Sequence, residues 1–319
     1  MSKIVVTGGA GFIGSHIAEN LAKDGHEIVI VDNLDAYYST NLKMQNINIV
    51  LKSGDVCFVD SDITDINNLK NIIDDTVDYV YHEAAQPGVR FSINNIFKTN
   101  NVNILGTMNV LKASSDANVK KVINASSSSV YGSAKYLPFD ENHPTQPISP
   151  YGVSKLAAEH YCRVFYDVYG LSTVSLRYFT VYGPRMRPDL AISKFTQKIL
   201  NNEPIIIFGD GNQTRDFTYI DDIVKANIGL LNIDKIDGKV INLGCGNRIN
   251  VNDVVRQIEE IIGVKAKINY MNKQRGDAEH TLSNIKLIQS LLKYEPINIT
   301  DGLKKFIDWF CIYREEKES

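Results

Sequence analysis

Tyr151 and Lys155 stand four residues apart at the head of a run, Leu156 to Tyr169, in which Leu156, Ala157, Tyr161, Val164, Phe165 and Val168 recur at helical spacing. Positions i and i+4 share one helix face, so both side chains can point into one pocket. A tyrosine hydroxyl is a poor base near neutral pH, with an unperturbed pKa of about 10. An ammonium beside it favours the phenolate, and a base working near pH 7 needs roughly 4 kcal/mol from its surroundings. Alone, the pair is equally what a surface lysine on an ordinary helix looks like. Its chemistry depends on a second motif at the start of the chain.

Lys3 to Thr7 reads as a short β-branched strand, and Gly8-Gly9-Ala10-Gly11-Phe12-Ile13-Gly14 follows it directly. Helical periodicity then runs from Ser15 to Ala22. The glycines permit a tight turn and close approach of the backbone to a pyrophosphate. The helix N-terminus offers free N–H groups and a positive dipole end. A second strand, Glu27 to Val31, ends at Asp32. A carboxylate there bonds the ribose hydroxyls of NAD and repels the 2′-phosphate of NADP.

The elements that must hold these groups follow in order. Val56 to Val59 is a strand, and Asp62 and Ile63 after it can border an adenine. Asp78 to Glu83 is the next strand, and it runs into the small residues Ala84 and Ala85. Asn95 to Lys112 reads as one long helix carrying Asn100. The strand Lys121 to Ala125 ends in the cluster Ser126 to Ser129, a polar loop or a source of a hydroxyl that works with Tyr151. Later come a helix at Phe195 to Asn201, a strand at Pro204 to Phe208, helices at Tyr219 to Leu231 and Val251 to Gly263, and a packing helix at Gly302 to Tyr313. The fold expected is α/β: a Rossmann-type doubly wound parallel sheet from residues 1–179 and 218–246. A smaller, discontinuous α/β substrate domain is expected from 180–217 and 247–319.

The 319 residues are 44% apolar and 22% charged with a net charge of −3, an ordinary globular composition without a basic block for nucleic acid. No apolar run approaches the ~20 residues a membrane helix needs, and no signal segment is visible. Cys57, Cys162, Cys245 and Cys311 lack metal-ligand spacing and suit reduced thiols in a cytoplasm. No metal is expected.

The Gly8 to Gly14 turn, the Ser126 to Ser129 cluster and the Tyr151/Lys155 pair resemble the extended short-chain dehydrogenase/reductase family over nearly the whole chain. Arg177 to Arg185, Gly209 to Asp222 and Arg275-Gly276-Asp277 narrow the likeness to NAD-dependent UDP-sugar 4-epimerases. Ala85 to Arg90 and Tyr182 to Asp189 look most like those acting on UDP-glucuronate. The related 4,6-dehydratases carry an Asp-Glu pair where this chain has Ser128 and Ser129, which argues against dehydration.

The resemblance implies Ser127, Tyr151 and Lys155 as the catalytic set. It implies NAD contacts from Gly8, Gly11, Phe12, Ile13, Gly14, Asp32, Asn33, Asp62, Ile63, Ala84, Ala85, Asn100, Ser126, Tyr151, Lys155 and Tyr178. Substrate contacts are implied for Gly88, Val89, Arg90, Ser127, Ser128, Thr180, Arg185, Arg215, Arg275 and Asp277. Arg215 and Arg275 would bind the diphosphate, Asp277 the uridine ribose, and Arg185 with Arg90 a C6 carboxylate. Thr281 lies where the family sets pocket size, so UDP-glucose and UDP-N-acetylglucosamine stay open as substrates. UDP-glucuronate decarboxylation and a non-catalytic NAD-binding role are the remaining alternatives. The helices at 95–112 and 154–169 resemble the family's dimer-forming pair, so a homodimer is expected.

Overall fold

The computed structural model describes residues 1–274 and 276–318. Its centre is a parallel sheet built from β1 (Lys3–Thr7), β2 (Glu27–Asp32), β3 (Val56–Asp60), β4 (Tyr79–His82), β5 (Lys121–Ser127), β6 (Thr173–Tyr178) and, much later, β11 (Lys239–Leu243). The order across the sheet is β11-β6-β5-β4-β1-β2-β3. The chain steps outward from β1 to β3, then returns to the other side of β1 as β4. That reversal opens a crevice at the carboxyl ends of β1 and β4, where ligands of doubly wound sheets bind.

The strands are apolar on both faces because both faces are covered. Ile4, Val6, Ile28 and Ile30 pack into one core together with Ile17 and Leu21 of α1 (Phe12–Lys23). Val5, Val29, Val80 and Val122 alternate with them and pack into a second core. That core receives Leu69 of α3 (Ile66–Ile72), Val110 and Leu111 of α6 (Thr107–Asp116), and Phe165 of α7 (Pro150–Tyr169). Also on the edge of the sheet lies α2 (Thr40–Leu51), which the sequence reading did not identify. Neither α3 nor β6 was identified there.

The single helix expected from Asn95 to Lys112 is broken. α4 (Val89–Asn94) and α5 (Ile96–Asn100) lead into a π-helical turn, Asn101–Gly106, before α6. The turn places Asn103 inward, where its amide bonds the Gln86 N–H at 2.7 Å and the Ser154 hydroxyl at 2.9 Å. Gly106 fits against Ile63, 2.5 Å from where a Cβ would stand.

Beyond β6 the chain forms short pairs outside the main sheet. β7 (Thr180–Tyr182) pairs with β10 (Phe217–Tyr219), β8 (Pro204–Phe208) with β13 (Lys267–Met271), and β9 (Thr214–Arg215) with β12 (Ile249–Asn250). α8 (Ala191–Leu200), α10 (Val251–Ile262), α11 (Lys286–Leu291) and α12 (Ile299–Glu318) pack around them, and α9 (Ile220–Leu230) returns to lie against α1. Leu303, Phe306 and Ile307 of α12 are buried, the packing role read for that helix. Among the described residues no helix is long and apolar enough to cross a membrane.

Candidate active site

Two close approaches of backbone build the site. Gly8, at φ +70°, lies so near the end of β4 that a Cβ would stand 2.6 Å from the Ala84 nitrogen. Gly14 leaves no more room, with 2.4 Å from its Cβ position to the Gly8 oxygen. The turn and α1 are thereby pressed against the switch point, with the helix N-terminus facing the crevice. Gly152 does the same for the chemistry. Its Cβ position is 2.5 Å from the Ser129 oxygen, so the first turn of α7 sits directly on the end of β5. That turn is fixed by Pro150 in its first turn and by Ser149, whose hydroxyl caps the Gly152 N–H at 3.1 Å.

Tyr151 therefore lies beside Ser127, whose hydroxyl favours the phenolate. Ser127 and Ser129 hydroxyls lie 3.1 Å apart, while Ser128 begins a short 3-10 turn beside them. Lys155 is buried one helical turn further on, its ammonium donating to the Ala125 carbonyl at 2.7 Å. Burial draws its pKa down to about 8, against the opposing pull of Glu83. Burial raises the Tyr151 pKa; Arg187 works most strongly against that, then the neighbouring Ser127 hydroxyl. The cation that chiefly favours the phenolate in this geometry is thus Arg187, a residue the sequence reading passed over. Lys155 is engaged with backbone instead.

The crevice is lined by Gly8, Gly11, Phe12, Ile13, Gly14, Asp32, Asn33, Asp62, Ile63, Ala84, Ala85, Ser126, Tyr151, Lys155 and Tyr178, each anticipated from sequence. Asp32 accepts the Leu34 N–H at 2.9 Å and the Ala10 N–H at 3.3 Å, with the Lys43 ammonium 3.5 Å away. Asn33 donates to Asp62 at 2.8 Å. Lys43, Tyr37, Tyr38, Glu83 and Arg187 complete the wall. Lys43 and the tyrosines lie in the unrecognised segment around α2, where only the hydropathy of a helix could have flagged them. These residues suit a dinucleotide: a glycine cradle that any Cβ would fill, a helix N-terminus for phosphate, and a carboxylate after β2.

Three of the expected residues, Arg185, Arg90 and Asn100, are engaged elsewhere in this structure. Arg185, at φ +62°, turns away from the crevice. Its guanidinium, 8% exposed, pairs with Glu19 at 2.6 Å and bonds His16 at 3.0 Å, pinning the Gly183-Pro184 loop to α1. Two residues on, Arg187 lines the crevice, its Nε and Nη2 held by Asp189 at 2.8 and 3.0 Å. Arg90 pairs with Asp277 at 3.0 Å and lies 4.4 Å over the Phe208 ring. Asn100 borders a shallow outer hollow with Phe97 and Leu105, because the π turn directs Asn103 inward instead. Ser126 keeps its backbone in the crevice wall, but its hydroxyl is taken by Glu159.

The remaining residues gather at the other end. Arg215 donates to the Thr214 and Glu279 carbonyls at 2.9 and 3.1 Å, close enough to Asp277 and Arg90 to feel both charges. Gly88 caps α4 beside the Tyr37 hydroxyl, and Val89 packs on Gly276. Thr180 sits in β7 beyond the crevice wall, its N–H bonded to the Asp216 carbonyl at 3.0 Å. The Thr281 hydroxyl accepts the Asp216 N–H at 3.1 Å and so braces backbone. Arg275 lies outside the described residues. Among the described residues no cluster of His, Cys, Asp and Glu could hold a metal ion.

Known proteins resemble this chain over nearly its whole length. The chain is 41% identical to the UDP-glucuronate 4-epimerase of Thermodesulfobacterium geofontis over 97% of this chain and 96% of that one. It superimposes with a TM-score of 0.93 on the crystal structure of UDP-glucuronic acid 4-epimerase from Bacillus cereus in complex with UDP-glucuronic acid and NAD, at 37% identity, covering 98% and 99% of the two chains. A UDP-glucose 4-epimerase of Thermotoga maritima, with UDP-glucose, superimposes with a TM-score of 0.91 at 33% identity, covering 98% and 99%. Residues 4–244 match the NAD dependent epimerase/dehydratase family, and the chain belongs to that family.

Proposed function

We propose that the protein is an NAD-dependent 4-epimerase interconverting UDP-glucuronate and UDP-galacturonate. The observation that carries the sugar assignment is Arg187, a half-buried cation fixed by Asp189 in the same wall as Tyr151. A guanidinium there matches a C6 carboxylate in charge and fork geometry. Relatives that act on UDP-glucuronate support the same reading.

Gly8, Gly11 and the N-terminus of α1 would hold the NAD pyrophosphate, and Asp32 the adenosine ribose. When bound, NAD accepts hydride from C4 and returns it. The protein's part is position and proton transfer. Tyr151, as phenolate, takes the C4 hydroxyl proton while Ser127 bonds the same oxygen. The 4-keto sugar turns about its diphosphate and presents its other face, and Tyr151 returns the proton, so C4 is inverted. A 4-keto uronic acid is a β-keto acid that can lose CO2. Arg187, by holding the carboxylate in one orientation, works against that loss.

Arg215, Arg90 and Asp277 form the uridine diphosphate end in this reading. The small elements from 180–217 and 247–319 act as a substrate domain closing over residues 1–179 and 218–246. Ile96, Phe97 (90% exposed) and Leu105 on one side, with Val153, Val164 and Val168 of α7, offer apolar surface for a second copy of the chain, which supports a homodimer. The reduced thiols Cys57, Cys162, Cys245 and Cys311 fit a reducing cytoplasm. Tyr151→Phe tests the mechanism: turnover falls at least about 1,000-fold while UDP-glucuronate still binds in calorimetry. Near-wild-type turnover would sink the assignment of the base.

A further inference from the structure

Glu83 is a carboxylate in the crevice wall for which the mechanism has no use. It follows β4 at the switch point, and its backbone N–H is tied to the Thr7 carbonyl at 3.0 Å. Its side chain meets the Tyr178 hydroxyl at 2.8 Å, and the same hydroxyl lies 2.9 Å from the side-chain oxygen of Asn227 in α9. The orientation of that amide is settled, because its nitrogen donates to the Ile223 carbonyl at 2.8 Å. Turning it over would set oxygen against oxygen.

The Tyr178 hydroxyl thus faces two acceptors with one proton to give. If Glu83 is a carboxylate, one contact is left without a hydrogen. If Glu83 carries a proton, both are made: Glu83 donates to the Tyr178 oxygen, and Tyr178 donates to Asn227. We infer that Glu83 is a proton-carrying positioning residue, neutral in the resting enzyme, whose ionisation switches a negative charge onto the Tyr151 and Lys155 environment. Burial pushes its carboxyl up to about 7, against the pull of the Tyr178 bond and of Lys155.

The titratable groups facing Glu83 are Lys155 and Tyr151 of α7, Tyr178 of β6 and Tyr81 of β4. His82, its neighbour in sequence, turns its ring to Thr7 and Thr107 at 2.8 and 2.9 Å and is held neutral, its pKa near 3 chiefly through burial. When Glu83 loses its proton, its charge opposes the phenolate on Tyr151. The base is then harder to form than it would be beside a neutral group, so the phenolate gains less with rising pH than a lone tyrosine would. Ionisation of Glu83 flattens the alkaline rise in activity.

This inference rests on Tyr151 being the base, and its test separates the two ideas. Infrared spectra of the full-length wild type with isotope-labelled glutamate should show a protonated-carboxyl stretch that titrates away near neutral pH and is missing from Glu83→Gln. Gln donates to Tyr178 but never ionises. The ratio of kcat for Glu83→Gln to that of wild type should therefore climb with pH. A coupling of one pKa unit makes that climb about tenfold between about pH 6 and pH 9. Tyr178→Phe, which removes the acceptor but keeps Glu83, should shift the same infrared band. The inference is overturned by a wild type without the protonated band at low pH, by a band that survives Glu83→Gln, or by a kcat ratio flat across pH. The infrared arm needs no turnover, so failure of the epimerase reading leaves it standing.

Discussion

Gly152→Ala sets two physical effects against each other. Replacing glycine inside a helix with alanine ordinarily stabilises by about 1 kcal/mol. Here the new Cβ would stand 2.5 Å from the Ser129 carbonyl oxygen and 2.9 Å from the Pro147 side chain. Ordinary contact needs roughly 3.5 Å, so α7 and the end of β5 must separate by about 1 Å. The atom in the way is the backbone oxygen of Ser129, two residues after Ser127, and it has no rotamer to yield. Overpacking of this kind costs about 1–3 kcal/mol, which outweighs the helical gain. The larger effect is on chemistry, because the displaced elements carry Tyr151 and Ser127. A misplacement of about 1 Å costs about 100-fold in rate. Purified variant and wild type would be compared by kcat on UDP-glucuronate and by thermal unfolding. We expect kcat down about 100-fold and a lower Tm. A variant with unchanged kcat and a raised Tm would refute the claim that this contact sets the Tyr151–Ser127 geometry.

Other expectations follow from single contacts. Arg187→Ala should cut the ratio of kcat/KM for UDP-glucuronate to that for UDP-glucose by about 10- to 100-fold, the worth of a charged fork on a carboxylate; steady-state kinetics on both sugars measures it. Arg185→Ala should leave that ratio within about twofold and lower stability instead, because it removes one of the two cations paired with the half-buried Glu19, leaving only Lys23. The same corner predicts a pH effect. Glu19 sits below its usual pKa because Arg185 and Lys23 overcome the opposing effect of burial, and His16 is held down to about 3 by burial first and Arg185 next. Both folded-state values are depressed, so their stability is present above the unfolded values and lost as pH falls below about 6.5 for His16 and about 4.5 for Glu19. His16→Asn should flatten the first part of that decline in urea unfolding. Asp216→Ala should cost about 2–6 kcal/mol in urea unfolding, because it leaves the Cys245 and Ser283 N–H groups unpaired inside the protein, while the Gly246 N–H keeps the Ser283 hydroxyl.

Much of the crevice was legible because its residues are constrained by backbone as well as by chemistry. The glycine turn must be glycine, the acid after β2 stands at a fixed place, and Tyr151 precedes Lys155 by one helical turn. The arginines were not legible to the same degree. Arg185 and Arg187 lie in one short loop, and a left-handed backbone at Arg185 decides which of them faces inward. No spacing in the sequence carries that φ angle. The π turn at Asn101–Gly106 had a similar effect. It shifts which face of the helix looks inward, so Asn103 replaced Asn100. Lys43 and Glu83 were missed because their roles come from long-range pairing with Asp32 and Tyr178. The fold's strands were read where they alternate or run apolar. Thr173–Tyr178 escaped because its buried Arg177, paired with Glu159 at 2.8 Å, breaks the apolar run.

The central claim is that this chain inverts C4 of UDP-glucuronate with a cofactor it retains. Proton NMR of UDP-glucuronate incubated with the purified protein, with no NAD added, tests both parts together. The account predicts a growing galacturonate anomeric signal that settles at equilibrium with glucuronate. An unchanged spectrum, with turnover only on UDP-glucose or UDP-N-acetylglucosamine when NAD is supplied, would contradict it, and pentose signals would make the enzyme a decarboxylase.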